Sequence, residues 1–236
     1  GIPTCPAILT KLMREMRSDD PDLRNIGQLI GRDVALAAAT LKTANSPFFG
    51  LRTKAATVQQ AIVMIGLDTI IKLVTGLLLR QAFPNVTGPA IEHYWRSSMG
   101  TALIAALLSR KTGCADGGSC HTYTLFRNCG MPVMLQKFPI YTDILDESAL
   151  NSGDPILEIE EERYATNHAR IGAQLARNWL LPEPLCLAIL HHHDMVFPAE
   201  VRSQAEETTR VLVAVGLAAE RIYCLATRGT CQEWAL

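Results

Sequence analysis

All-α is the fold class this sequence predicts, on three observations. Apolar residues recur at helical spacing through almost every long segment, and no stretch alternates with the two-residue period of a strand. Prolines, glycines and Asp/Asn/Ser/Thr clusters fall where helix ends and caps require them. The 236 residues are 48% hydrophobic, ample for a core, and 19% charged, below the usual share of about 25%. There is no internal repeat and no low-complexity segment.

The first helix reads from Pro6 to Met16, with Ile8, Leu9, Leu12, Met13 and Met16 on one face. Ser18–Asp22 is a turn and cap cluster. Leu23, Ile26, Leu29 and Ile30 form the next stripe, stopped at Gly31, and Asp33 caps a third helix over Val34–Ala44. These two short helices have the form of a helix-turn-helix over residues 23–45. The second, however, carries one Lys and none of the Arg/Asn/Gln set that reads base edges. Pro47 pushes Ser46 out of the α region, so the third helix ends at about Asn45, a residue that tolerates a left-handed closure. Phe48 and Phe49 are apolar anchors for the loop, and Gly50 relaxes it. Thr57 and Gln60 make a capping box for a helix over Val58–Ile65, Gly66 closes it, and Asp68 is placed to cap a helix over Thr69–Phe83.

Pro84–Pro89 is the clearest internal break. Beyond it lie a long helix over Ala90–Thr112, a loop over Gly113–Ser119 in which Gly117-Gly118 reads as a turn, and short helices over His121–Asn128, Met131–Phe138 and Tyr141–Leu150. Asp154-Pro155 opens a helix through the acidic Glu158–Glu162 run, which reads as a solvated face. Ile171, Leu175 and Trp179 mark an amphipathic helix over His168–Leu180. Pro182 and Pro184 break it ahead of helices over Leu185–His192 and Ser203–Ala226.

Charge is unevenly spread. Residues 1–113 hold 13 basic and 7 acidic side chains, a net of +6, and residues 114–236 hold 9 and 16, a net of −7. Seven cysteines, with no CxxC pair and no signal-peptide pattern at Gly1–Pro6, point to mostly buried thiols in a reducing cytoplasm. No run reaches 18 apolar residues, and Ile70–Leu79 is interrupted by Lys72, so no membrane span is expected. There is no G-x-S-x-G, and no Gly-rich loop with P-loop or dinucleotide spacing. Cys114, Cys120, His121 and Cys129 are zinc-type residues without the two-residue bite of a zinc knuckle, which favours buried or incidental thiols.

The stretch NSPFFGLRTKAATVQQAIVMIGL, Asn45 to Leu67, resembles the signature of the HDOD (HD-related output domain) family, and the resemblance extends from about Pro6 to Pro198. It implies one domain over residues 1–236, HDOD-like, with an N-terminal helical lobe (about 1–86) packed on a C-terminal HD-like helical lobe (about 87–236). The parent superfamily of HD phosphohydrolases binds one or two metal ions through a His, a His-Asp pair and a distant Asp, sometimes with further His, to acidify water and neutralise phosphate. At the position that resembles the first His, after Trp95, stand Ser97 and Ser98. At the pair stand Arg127 and Asn128, a permanent cation and a neutral amide. His168 falls where relatives open an amphipathic helix with a His, and His192-His193 ahead of Asp194 resembles the family's paired His. A metal, if held at all, would take His168, His192, His193 and Asp194. On a continuous helix, though, His192 and His193 would point about 100° apart.

The resemblance thus implies a non-catalytic bacterial output module that works by protein–protein contact, with no cofactor expected and a cytoplasmic location. Its partner would be a protein or a neighbouring receiver, GGDEF or EAL domain, with a link to cyclic di-GMP signalling. Nucleic acid is not an expected partner. A nucleotide or other anion would enter the former HD cleft of Ser97, Arg127, Asn128, His168 and His192, with Arg127 binding phosphate directly. The alternative is a divergent metal-dependent phosphohydrolase using the residual histidines.

Overall fold

The computed structural model describes residues 2–16, 18–150, 156–194 and 203–227, without the side chains of Phe48 and of residues 146–150. Among these residues the regular structure is all helical, as the periodicity requires. The expected helix start at Asp154-Pro155 lies outside the described residues. The chain divides into two compact units, Thr4–Ala82 and Gly1–Pro3 with Phe83–Leu236. The division falls just ahead of the Pro84–Pro89 break.

The first unit holds α1 (Ala7–Met16), α2 (Leu23–Gly31), α3 (Val34–Ala44), α4 (Val58–Ile65) and α5 (Leu67–Gln81). Its caps follow the sequence. Asp22 accepts from the Arg24 and Asn25 amides, and Asp33 from that of Leu36. Thr57 accepts from the Gln60 amide at 3.1 Å, and the Gln60 side chain returns to the Ala56 amide at 2.8 Å, one residue earlier than a regular capping box. Asp68 does not cap α5. It sits in the first turn and pairs with Lys72 at 2.5 Å, while Gly66, at φ 89°, occupies the cap position. Leu9, Leu12, Ile26, Ile30, Leu36, Ile70 and Leu79 make this unit's core.

The Ser46–Lys54 loop is closed by a device the sequence did not announce. Ser46 is extended, as a residue before proline should be, a single 3-10 turn covers Pro47–Phe49, and Gly50 takes the left-handed region at φ 59°. Asn45, expected to take a left-handed closure, has φ −84° instead. Its side-chain amide donates to the Ala55 carbonyl at 2.9 Å and accepts from the Ala55 amide at 2.8 Å, imitating a strand pair across the loop's base. Phe49 is half-buried; the Phe48 side chain lies outside the described residues.

The second unit is built on the long α6 (Pro89–Thr112), against which α7 (Gly117–Phe126) and α13 (Gln204–Thr227) pack. Gly117-Gly118 is not a turn: Asp116 accepts from the Ser119 amide at 2.7 Å and starts α7 there. A second layer comprises α8 (Gly130–Lys137), α9 (Tyr141–Leu150), α10 (Ile156–Tyr164), α11 (His168–Asn178) and α12 (Glu183–Leu190). Met131, Met134, Tyr141, Ile144 and Ile156 form the core between α8, α9 and α10. Trp179, fully buried, meets Phe126 edge-on at 5.9 Å and donates its indole N–H to the Pro3 carbonyl. Cys120, Cys129 and Cys186 are buried free thiols, Cys5 is half-buried and Cys114 exposed. Cys224 departs from the expectation of free thiols, being disulfide-bonded. Among the described residues no helix is long and apolar enough to cross a membrane.

Candidate functional site

His168 is placed by its own helix end. Asn167 is the N-cap of α11, accepting from the Arg170 amide at 2.8 Å, which sets His168 in the first turn. The imidazole is fully buried. Its backbone N–H donates to Glu160 at 2.8 Å, and its Nδ1–H points at both Glu160 oxygens at 2.9 Å. Tyr141 donates its hydroxyl to the same carboxylate at 2.5 Å. Burial pushes the Glu160 carboxyl up, but the His168 ring and these donors outweigh it and hold the group below the usual carboxylate range. The solvated face expected over Glu158–Glu162 is therefore wrong at one position, because Glu160 is fully buried. It shares a helical face with Ile156, four residues before it, and that spacing was the available signal.

The His192-His193 pair arrives from a different direction than a helix would give. α12 stops at Leu190, and His191–His193 form a turn, with His191 at φ −107°. The 100° divergence expected of helical neighbours is lost. His192 donates Nδ1–H to the Ile189 carbonyl at 2.7 Å, which aims its Nε2 inward. That nitrogen lies 3.3 Å from His168 Nε2, and His193 Nε2 lies 3.0 Å from the same atom. The three histidines form the one group among the described residues whose donor atoms converge as metal ligands do, within 4.8 Å of one another. Burial, then the neighbouring rings and Arg127, push the His193 ring down to about 2 and the His192 ring well below its ordinary value. Both are therefore neutral, the form that ligates. Asp194 does not join them: it accepts from His191 Nδ1 at 2.7 Å on an exposed surface. Cys114, Cys120, His121 and Cys129 do not converge either. Cys114 is exposed, and Cys129 donates to the Gly172 carbonyl.

Arg127 and Asn128 close the end of α7. Arg127 is buried, and its guanidinium meets Glu220 of α13 at 2.6 Å. The cation read as a phosphate receptor thus has a carboxylate of the chain's own against it. Asn128 is buried with its Oδ1 unpaired. Ser97, half-buried on α6, donates to the Tyr94 carbonyl at 3.1 Å, and Ser98 beside it is buried. Arg127 lies near enough to His192 and His193 to lower both, so the pair's position and the histidines share one neighbourhood. Gly130, just past the pair, explains itself by contact. A Cβ there would lie 2.0 Å from the His168 carbonyl oxygen, so only glycine lets α8 approach the backbone that carries this histidine.

As donors for an HD-type pair of ions, these residues fit half the task. Arg127 and Asn128 supply neither imidazole nor carboxylate, so the second ion has no ligands at that position. The three imidazoles fit one ion.

Comparison with known proteins bears on the family and the fold. The HDOD domain family matches residues 2–195. An uncharacterized protein of Treponema pallidum (strain Nichols) is 29% identical over 198 residues, 82% of this chain but only 38% of the relative's length. An HDOD domain protein of unknown function from Geobacter sulfurreducens superposes with a TM-score of 0.72 at 25% identity, covering 97% of this chain and 74% of its own. A Shewanella amazonensis SB2B protein described as a candidate phosphohydrolase gives a TM-score of 0.75 at 21% identity over 98% of this chain and 80% of its own. A Marinobacter aquaeolei VT8 protein described as a candidate signal transduction protein gives 0.73 at 20% over 98% of this chain and 50% of its own. The last two show shared fold alone. With a match from the second residue to past His193, the chain belongs to the HDOD domain family.

Proposed function

We propose that this chain is a non-catalytic regulatory output module of bacterial signal transduction, acting through protein–protein contact. The observation that carries the reading is Arg127, which stands where the resemblance expects a metal-ligating His and is tied to Glu220 at 2.6 Å. A guanidinium is never a metal ligand, and a buried cation at that position raises the cost of placing a second cation beside it. The helical frame is kept while half the metal chemistry is gone, which is what a domain retained for its surface would look like. Neighbouring receiver, GGDEF or EAL domains are the partners this reading favours, with cyclic di-GMP signalling as its setting. The Treponema relative, of which the match spans 38%, leaves room for such neighbours.

A second reading, a divergent metal-dependent phosphohydrolase, is favoured by one observation, the convergence of His168, His192 and His193. In an enzyme, a bound divalent ion would supply an acidified water and charge neutralisation for a phosphate. The two readings separate on hydrolysis of bis(p-nitrophenyl) phosphate by protein supplied with Zn²⁺, Mn²⁺, Ni²⁺ or Fe²⁺. The output module gives no rate above buffer. Turnover that disappears in His193→Gln supports the enzyme.

A further inference from the structure

Resting on the output-module reading, we infer that the shared outer face of α6 and α13 docks an acidic amphipathic helix of a partner protein.

Each of the two helices leaves one apolar stripe uncovered. On α6, Met99, Leu103 and Leu107 recur every four residues between Arg96 and Arg110; Leu103 is half-buried and the other two are exposed, Leu107 at 42%. On α13, Val211, Ala214, Ala218, Ile222 and Leu225 follow a helical spacing for about 21 Å. Leu225 is 66% exposed. The two stripes open on one side. α7 folds back on α6 through a short loop, tied by the Ser109 hydroxyl to the Ala115 carbonyl. Gly216 lies against the Tyr123 ring and Glu220 meets Arg127, so α13 runs with α7 and against α6. Where α6 and α13 meet, Gly100 lies against the Tyr223 ring. Gly100 follows Met99 as Tyr223 follows Ile222, a rotation of about 100° in each helix. Between antiparallel helices, that equal rotation sets both stripes on the same face. Ala214 and Ala218 leave the middle of α13 low between the bulkier side chains of α6 and those of Ile222 and Leu225, which makes a furrow.

Charge selects the occupant. Residues 83–236 hold 12 basic and 17 acidic side chains, a net of −5, yet this face is basic. From His93 to Thr112 α6 has no acidic residue, and Arg96 and Arg110 stand at the two ends of its stripe. From Thr208 to Thr227 the only carboxylate of α13 is Glu220, which is turned inward to Arg127. Arg210 and Arg221 lie along the edge of α13 away from Tyr223. Glu92, Glu206 and Glu207 stand beyond the ends of the stripes. A second copy of the chain would bring cations against cations, which opposes self-association through this face. A bilayer fits less well than a helix, because the face presents no Trp or Phe and has a hollow where an interfacial surface has bulk. A helix with apolar residues at i, i+3, i+4 and i+7 fills the furrow, and Asp or Glu beside that stripe reach the arginines.

The test uses the full chain and two labelled synthetic peptides that share a leucine stripe, one flanked by glutamates and one by lysines, titrated by fluorescence anisotropy. The glutamate peptide should bind about 10-fold tighter or more than the lysine peptide, and added salt should weaken it. Ala218→Glu puts a carboxylate into the furrow without removing packed volume, and should weaken binding by about 10-fold with unchanged helical circular dichroism. Arg96→Glu combined with Arg221→Glu should reverse the preference toward the lysine peptide. Val63→Asp, at an exposed position on α4, should leave affinity unchanged. Equal binding of the two peptides, binding of neither, or no effect of Ala218→Glu would overturn the assignment. So would a concentration-dependent dimer that is lost in Ala218→Glu, or binding to phosphatidylglycerol vesicles in place of the peptide. Phosphodiester turnover by the metal-loaded wild type removes the output-module reading, whereas absent peptide binding without turnover removes only this surface.

Discussion

Breaking the Arg127–Glu220 pair by one partner at a time should be more damaging than removing both. Arg127 is 3% exposed, and its side chain and that of Glu220 are 4% and 14% exposed, so neither charge finds much water when its partner is deleted. Loss of one member of a buried pair costs about 3–5 kcal/mol, while replacing both with apolar groups of similar volume is often near neutral. The partial exposure of Glu220 places Arg127→Met at the lower end, about 3 kcal/mol. Glu220→Leu, which strands the more buried guanidinium, should cost more, about 4 kcal/mol. The double variant should lie within about 1 kcal/mol of wild type, leaving a coupling energy well above that of an exposed pair. Urea unfolding followed by tryptophan fluorescence is the assay. Trp95 and Trp179 both belong to the unit that starts at Phe83, so their signal reports on that unit. If each single variant stays within 1 kcal/mol of wild type, Arg127 is not a structural tie, and its role as an anion receptor returns.

Three further outcomes follow from the same geometry. Gly130→Ala should destabilise by about 1–3 kcal/mol or more and displace His168, since the new Cβ meets that residue's carbonyl at 2.0 Å; a neutral change in the same urea assay would contradict the contact. Asn45→Ala removes both hydrogen bonds to Ala55 and should cost about 1–3 kcal/mol, read by thermal circular dichroism, whereas an unchanged melting curve would mean the loop closes without the clasp. Burial pushes the His121 imidazole down to about 4, so the unfolded chain takes up this proton near pH 6.5 while the folded chain resists until about 4. Stability should therefore fall as pH drops through that window, by about 3 kcal/mol from this residue. His121→Gln should remove that portion of the slope, and a wild-type-minus-variant difference independent of pH would contradict it.

Local chemistry explains which parts of the molecule were readable in advance. The helix starts at Asp22, Asp33 and Thr57 are signalled by side chains that act within three residues, and the structure uses each as a cap. The Asn45 clasp acts across ten residues onto backbone, and nothing in the local sequence specifies its partner. Glu160 was hidden by its neighbours: Glu158, Glu161 and Glu162 make the run look solvated, and only helical phase with Ile156 separates it from them. The orientation of His192 and His193 was hidden for a different reason. No Gly or Pro interrupts Leu185–Asp194, so a continuous helix was the natural expectation, yet α12 ends at Leu190 and frees His192 and His193 to turn toward His168. The loss of the His-Asp pair at Arg127 and Asn128, by contrast, was visible in the residues, and the structure adds the Glu220 partner that a sequence cannot supply.

The most direct test of the output-module proposal is a single-turnover assay with protein in excess over cyclic di-GMP, after loading with Zn²⁺, Mn²⁺, Ni²⁺ or Fe²⁺, followed by chromatography for linear products over many hours. Excess protein removes slow product release as an explanation for a negative result. The account predicts intact substrate with every metal. Linear product formed by wild type and absent with His193→Gln would contradict it and make the residual histidines a catalytic centre.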